Sequence, residues 1–274
     1  MQTLSIARSR LTSRLGWTRH SYYLLSAFVA TLFVIGVVWW PLVEEQLAWI
    51  DWSRPLWLQM DWLLLGVFAV MSLLIMAGAN LKADVQLVFV GFFGGLVIES
   101  WGTQTVLWTY YTLERPPLWI LPAWPIATLS IDRLYRMLNR ATPDLKATYF
   151  RWAYWALLPA FYMLMVLFVW PTMDKSLTMM ALGISLLIVL TPTDHRIAVL
   201  TFVAGSALGY FLELWGTTRA CWTYYTHETP PFFAVLAHGF AAVVFWRVGL
   251  LCQMVITYAT KLSPGLQTRR NRLH

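Results

Sequence analysis

Glu99 and Glu213 are the residues whose type and setting promise chemistry. Each closes a hydrophobic run, and nearly the same segment follows both: ESWGTQTVLWTYYTLERPP from Glu99 and ELWGTTRACWTYYTHETPP from Glu213. A carboxyl group sunk among apolar residues loses the solvation that favours its charged form. Such a group can hold a proton and pass it on. The adjoining loops supply Trp108, Tyr110 and Tyr111 in the first segment and Trp222, Tyr224 and Tyr225 in the second. These side chains bring aromatic faces and neutral hydrogen-bond donors without bringing charge. Two readings follow. In one, Glu99 and Glu213 are acids and the rings line a substrate site. In the other, each glutamate accepts hydrogen bonds from its own loop and pins the loop to the helix.

The two segments belong to a longer repeat with a spacing of 114 positions, Glu99 to Glu213. At that offset Gly91 and Gly95 meet Gly205 and Gly209, which places both glycines and the glutamate on one helix face. Small residues on such a face let another helix approach closely, so these four glycines are expected to be packing positions. Gly102 and Gly216 are expected to let the chain leave the helix sharply. The proline pairs Pro116-Pro117 and Pro230-Pro231 suit the start of the next helix. Asn80 and Asp194 stand where N-caps are expected. Arg133 and Arg247 are expected to snorkel to the inner interface. The segments differ at one suggestive position. Trp124 of the first aligns with His238 of the second, and both join the candidate substrate-lining residues. A Glu213–His238 pair suits a proton relay; a histidine that merely satisfies a carbonyl is the alternative.

The elements that must hold these residues are membrane helices. The chain of 274 residues is 59% hydrophobic and 12% charged, where soluble domains carry roughly 25% charge. Eight spans are expected, at 22–41, 60–79, 86–103, 118–138, 151–171, 176–192, 196–214 and 231–258. They make an all-α polytopic bundle of two four-helix repeats. An even number of spans per repeat gives both the same orientation. The expected organisation is a basic tail at 1–21, repeat one at 22–138, a linker at 139–150, repeat two at 151–260 and a second basic tail at 261–274. Glu99 lies ~21 Å above Val85 along its helix, in the outer third of the hydrocarbon core.

The net charge of +7 is concentrated in the tails and one central loop. This positive-inside pattern puts both termini in the cytoplasm and the protein in the inner membrane. No basic stripe interleaved with stacking aromatics points to nucleic acid. Two cysteines make no disulfide framework, and Cys221 is expected in the second outer loop, far from Cys252 toward the inner end of the last span. No metal-ligand spacing or phosphate loop is visible, so neither a metal nor another cofactor is expected.

The run Glu99-x-x-Gly102-Thr103-x-Thr105, the Tyr110-Tyr111 pair and PPLWILPAWPIA resemble the membrane carotenoid hydratases of bacterioruberin-type biosynthesis. The polytopic carotenoid cyclases neighbour that family. The resemblance implies protonation of a terminal alkene of a polyene without a redox cofactor. It would make Glu99 the acid and let Tyr110, Tyr111 and Trp124 line the site. The expected ligand is then a hydrophobic polyene or isoprenoid, beside membrane lipids. A neighbouring membrane protein or a second copy of the chain is the further candidate partner. A lipid transporter or binding protein, and a structural subunit of a membrane complex, are the alternatives. The topology is tested by cysteine-accessibility labelling at both tails and in the ERPP loop. The tails should label from the cytoplasmic side and the loop from the other.

Overall fold

A computed structural model describes residues 16–262. Most of the two basic tails therefore lies outside the described residues. The helices are α1 (Arg19–Val38), α2 (Trp40–Ala48), α3 (Trp62–Met76), α4 (Leu81–Gln104), α5 (Ala123–Ala141), α6 (Ala147–Val169), α7 (Ser176–Leu190), α8 (His195–Thr218) and α9 (Phe232–Leu262). Two short strands, β1 (Trp108–Tyr110) and β2 (Trp222–Tyr224), form a ribbon.

Every expected span coincides with a helix, but the helices differ in kind. Five are long and apolar enough to cross a membrane: α1, α4, α6, α8 and α9. Helices α3 and α7 have 15 residues each, or ~22 Å, against a hydrocarbon core of ~30 Å. Helix α5 has 19 residues but carries Asp132, Arg133, Arg136 and Arg140. The expectation of eight spans thus holds by length and composition for five of its segments.

Local chemistry sets the helix starts. Asn80 caps α4 by accepting from Lys82 N at 3.1 Å, and Asp194 caps α8 by accepting from Ile197 N at 2.9 Å. Asp61 caps α3 through Leu64 N at 3.1 Å. Each such cap satisfies a backbone donor that the first helical turn leaves open.

The glycine faces pack as expected. A Cβ on Gly91 would stand 2.6 Å from Thr128 Oγ1 of α5, and one on Gly95 would stand 2.3 Å from the Trp124 ring. On the other side, a Cβ on Gly205 would meet Gly239 Cα at 2.7 Å, and one on Gly209 would meet His238 Cβ at 2.5 Å. So α4 lies against α5 and α8 against α9, with α5 also along α8. These four helices form the centre. Helix α6 lies along α8, where Phe161 stacks on Phe240 at 4.8 Å and meets Phe202 edge-on at 5.9 Å. Helix α1 leans instead on α3.

Two expectations are corrected. Gly102 and Gly216 lie inside their helices, which run on to Gln104 and Thr218. Their role is space. A Cβ there would fall 1.9 Å and 2.0 Å from the indoles of Trp108 and Trp222. The sharp exits occur at Val106 (φ 59°) and Ala220 (φ 53°), in a left-handed region costly for non-glycine residues. Arg133 does not snorkel. It is 4% exposed and pairs with Asp84 at 2.7 Å and Asp132 at 2.5 Å, because Asp84 on α4 sits beside it. Ala198 occupies the position equivalent to Asp84, and Arg247 donates to Thr191 O and Oγ1 instead. Cys221 and Cys252 are free thiols. Burial pushes the Cys221 thiol up to about 12, so it stays protonated at neutral pH.

The α8–α9 contact makes a direct test. In Gly205→Ala the methyl meets backbone, which cannot rotate away. Overpacking of ~1–3 kcal/mol is expected, seen as a lower midpoint of thermal unfolding in detergent. Gly183→Ala in α7, with nothing within 4 Å of the added carbon, should leave the midpoint level or raised.

Candidate functional site

Each carboxylate is reached by its own loop. Past Val106 and Ala220 the chain turns back over the helix end, and the two returning strands meet. Trp108 pairs with Tyr224, Thr109 with Thr223 and Tyr110 with Trp222, antiparallel. Thr109 and Thr223 hold the same position in the two segments, so a local twofold axis passes through that pair. The flanking bonds obey it: Tyr111 N donates to Cys221 O at 3.2 Å and Tyr225 N to Leu107 O at 3.1 Å.

The ribbon carries the donors to the glutamates. Glu99 is 3% exposed and Glu213 4%. Tyr110 OH donates to Glu99 Oε1 at 2.8 Å, Trp124 Nε1 to the same oxygen at 3.1 Å, and Trp108 Nε1 to Oε2 at 3.1 Å. Tyr224 OH lies 2.9 Å from Glu213 Oε1, His238 Nε2 2.9 Å from the same oxygen, and Trp222 Nε1 2.9 Å from Oε2. The two sets match atom for atom, with His238 in place of Trp124. Thr103 and Thr217 lock the same turns by donating to the Glu99 and Glu213 carbonyls, both at 2.6 Å. Among the described residues neither carboxylate has a Lys or Arg within ion-pair distance. Buried charge is tolerated only with partners, and here the partners are uncharged donors plus one imidazole.

The two clusters touch. The Trp124 and His238 rings stack at 6.0 Å and 19°. Trp108 lies 5.8 Å from Tyr224, and Tyr110 lies 5.9 Å from Trp222. A cavity of about 790 Å³ reaches both Glu99 and Glu213 and is lined mostly by apolar side chains of α1 and α3 to α9, with Thr31, Ser100 and Ser185 among them. Among the described residues no group of three His, Cys, Asp or Glu is placed to hold a metal ion.

Six of the eight aromatic residues singled out in the sequence border this cavity: Trp108, Tyr110, Trp124, Trp222, Tyr224 and His238. The other two do different work. Tyr111 OH donates to the Val38 carbonyl at the end of α1, and Tyr225 OH to Phe168 O at 2.6 Å near the end of α6. They tether the ribbon to the ends of α1 and α6. This also aligns α1 with α6 at a spacing of 130, Val38 to Phe168, against 114 elsewhere. Helix α2 and its Trp-rich turn account for the extra length in the first half.

Asp61 escaped the sequence reading. It accepts from Trp215 Nε1 at 2.8 Å and Arg219 Nε at 3.0 Å, tying the start of α3 to the end of α8. Burial raises its carboxyl, but the bonds from Leu64 N, Trp215 and Arg219 outweigh this and hold it below the usual range. The signal was the Trp101/Trp215 repeat, since Trp101 Nε1 makes the counterpart contact to Thr178 Oγ1 at 3.2 Å at the start of α7. No family model, curated protein or solved structure matches the chain.

Removing a glutamate tests how far the loops depend on it. Glu99→Ala leaves three buried donors without an acceptor, each costing ~1–3 kcal/mol. Its unfolding midpoint should fall steeply. Glu99→Gln keeps one acceptor oxygen for Tyr110 and Trp124 and turns an NH2 toward the Trp108 indole. It should lose less.

Proposed function

We propose that the chain is a membrane protein built from two like-oriented copies of a four-helix unit, with both termini in the cytoplasm. The cavity between the copies takes a long isoprenoid or polyene, and a buried glutamate protonates one of its double bonds. The observation that carries this reading is that Glu99 and Glu213, each held by three hydrogen-bonding side chains, border one apolar cavity. An acid as weak as a carboxyl protonates an alkene only where bulk water does not compete for the proton. The surrounding indole and phenol faces favour a carbocation through their quadrupoles, an effect of ~2 kcal/mol or more when desolvated. General-acid catalysis supplies ~10²–10⁴ in rate. The resemblance of the Glu99–Trp124 stretch to carotenoid hydratases and cyclases points to the same chemistry.

The cavity also suits such a ligand in form. The lining residues His238, Ala241, Phe245, Val248 and Cys252 fall on one face of α9 and span ~21 Å along it. An extended hydrocarbon chain fits that run, with one end at the carboxylates.

Lipid extraction and mass spectrometry of the purified protein test the reading. An isoprenoid or polyene should co-purify, and Trp222→Ala or Tyr110→Ala should lower its amount several-fold. Recovery of phospholipid alone, unchanged in those variants, would favour a lipid transporter or a structural subunit instead.

A further inference from the structure

The molecule contains its own control experiment. Two carboxylates sit in nearly identical settings, and one ligand differs. Around Glu99 the third partner is Trp124; around Glu213 it is His238. An indole N–H donates a hydrogen bond but offers no lone pair to take a proton, whereas an imidazole can do both. The tyrosines Tyr110 and Tyr224 are common to the two sites, so they cannot distinguish them.

We infer that the halves have divided the work: Glu213 with His238 is the half that exchanges a proton with the ligand, and Glu99 with Trp124 is the fixed half that holds the rings in place. This rests on the reading of the cavity as an acid site. His238 borders the cavity at the head of the α9 face that ends at Cys252. Across from that face, α7 presents Ala181 and Ser185, where α3 at the equivalent positions presents the larger Val67 and Met71. The space for a chain is therefore greater on the His238 side. Trp124, which donates to Glu99, stacks between it and His238.

The step balances without an added reagent. The Glu213 carboxyl gives its proton to one carbon of a double bond. The π pair becomes the new C–H bond, the neighbouring carbon becomes the cation, and the carboxylate stays on Glu213. A carbon beside the cation then loses a proton, and its C–H pair closes a new double bond. The His238 imidazole takes that proton. The resulting imidazolium returns one proton across the 2.9 Å contact to Glu213. Glu213 is the catalytic acid in this step and His238 the catalytic base, and the 2.9 Å contact between them resets the pair.

The test uses the full chain in phosphatidylcholine vesicles prepared in D2O, with squalene and phytoene as probes. Deuterium entering the recovered polyene is read by mass spectrometry. The wild type should incorporate it. Glu213→Gln and His238→Ala should each lower the rate by ~10²-fold or more, the scale of a lost general acid. Glu99→Gln, which loosens rings that line the cavity, should lose no more than ~10-fold and so less than Glu213→Gln, and Gly183→Ala in α7, clear of the cavity lining, should match the wild type. Imidazole in the buffer should restore His238→Ala, which a packing role would not allow. Should His238→Ala fail to fold, His238→Trp copies the partner found at Glu99 and should fold and remain inactive. Full activity in His238→Trp, or loss in Glu99→Gln with retention in Glu213→Gln, overturns the division of work while leaving the acid site standing. A wild type that incorporates no deuterium from either probe overturns the acid site and this inference together.

Discussion

Two carboxylates buried in apolar protein constrain the rest of the fold. An unpartnered carboxylate away from water costs many kcal/mol, and even a neutral carboxyl needs its hydrogen bonds made. Neither helix that carries these groups supplies the donors. They come from the returning loop, in the form of Trp108 and Tyr110 or Trp222 and Tyr224, and from the following helix, in the form of Trp124 or His238. To bring them there the loop must reverse direction within a few residues, which explains the left-handed backbone at Val106 and Ala220. The indoles must lie flat on the helix, which explains the missing side chains at Gly102 and Gly216. Sequence features that look independent thus answer one requirement.

The ribbon joins the halves at their polar centre. A three-residue strand is too short to be stable alone. Here each strand is anchored at both ends by side-chain bonds, to the glutamate on one side and to the last turn of α1 or α6 on the other. Pairing the two strands satisfies the backbone groups along their facing edges and sets the distance between the carboxylate clusters. Ring stacking between Trp124 and His238 then couples one cluster to the other.

Around this near-symmetric centre the helices diverge. Phe161, Phe202 and Phe240 fill the cleft between α6, α8 and α9, while the equivalent positions in the first half hold Thr31, Val88 and Ile126. The smaller side chains leave room beside α4. The residues Ala181 and Ser185 leave more on its other flank. The cavity therefore runs between α4 and the α9 face that begins at His238. A buried Asp84–Arg133 pair, with Ala198 at the position equivalent to Asp84, ties the start of α4 to α5. Breaking such a pair costs ~3–5 kcal/mol.

The sequence by itself determined the local and periodic features. The 114-residue spacing, the glycine faces, the caps at Asn80 and Asp194 and the apolar runs were legible because each depends on residues near in the chain. The pairing of Glu99 and Glu213 with their own loops was one of two open readings, and it rested on short separations. Tertiary structure alone decided what depends on distant residues. It turned Tyr111 and Tyr225 to the ends of α1 and α6, buried Arg133 against Asp84, set Asp61 under Trp215 and Arg219, and joined two loops into a ribbon. It also placed both glutamates on a single cavity. A repeat specifies that two sites are alike. Whether they face each other depends on how the halves pack, and the side chains that settle this are far apart in the chain.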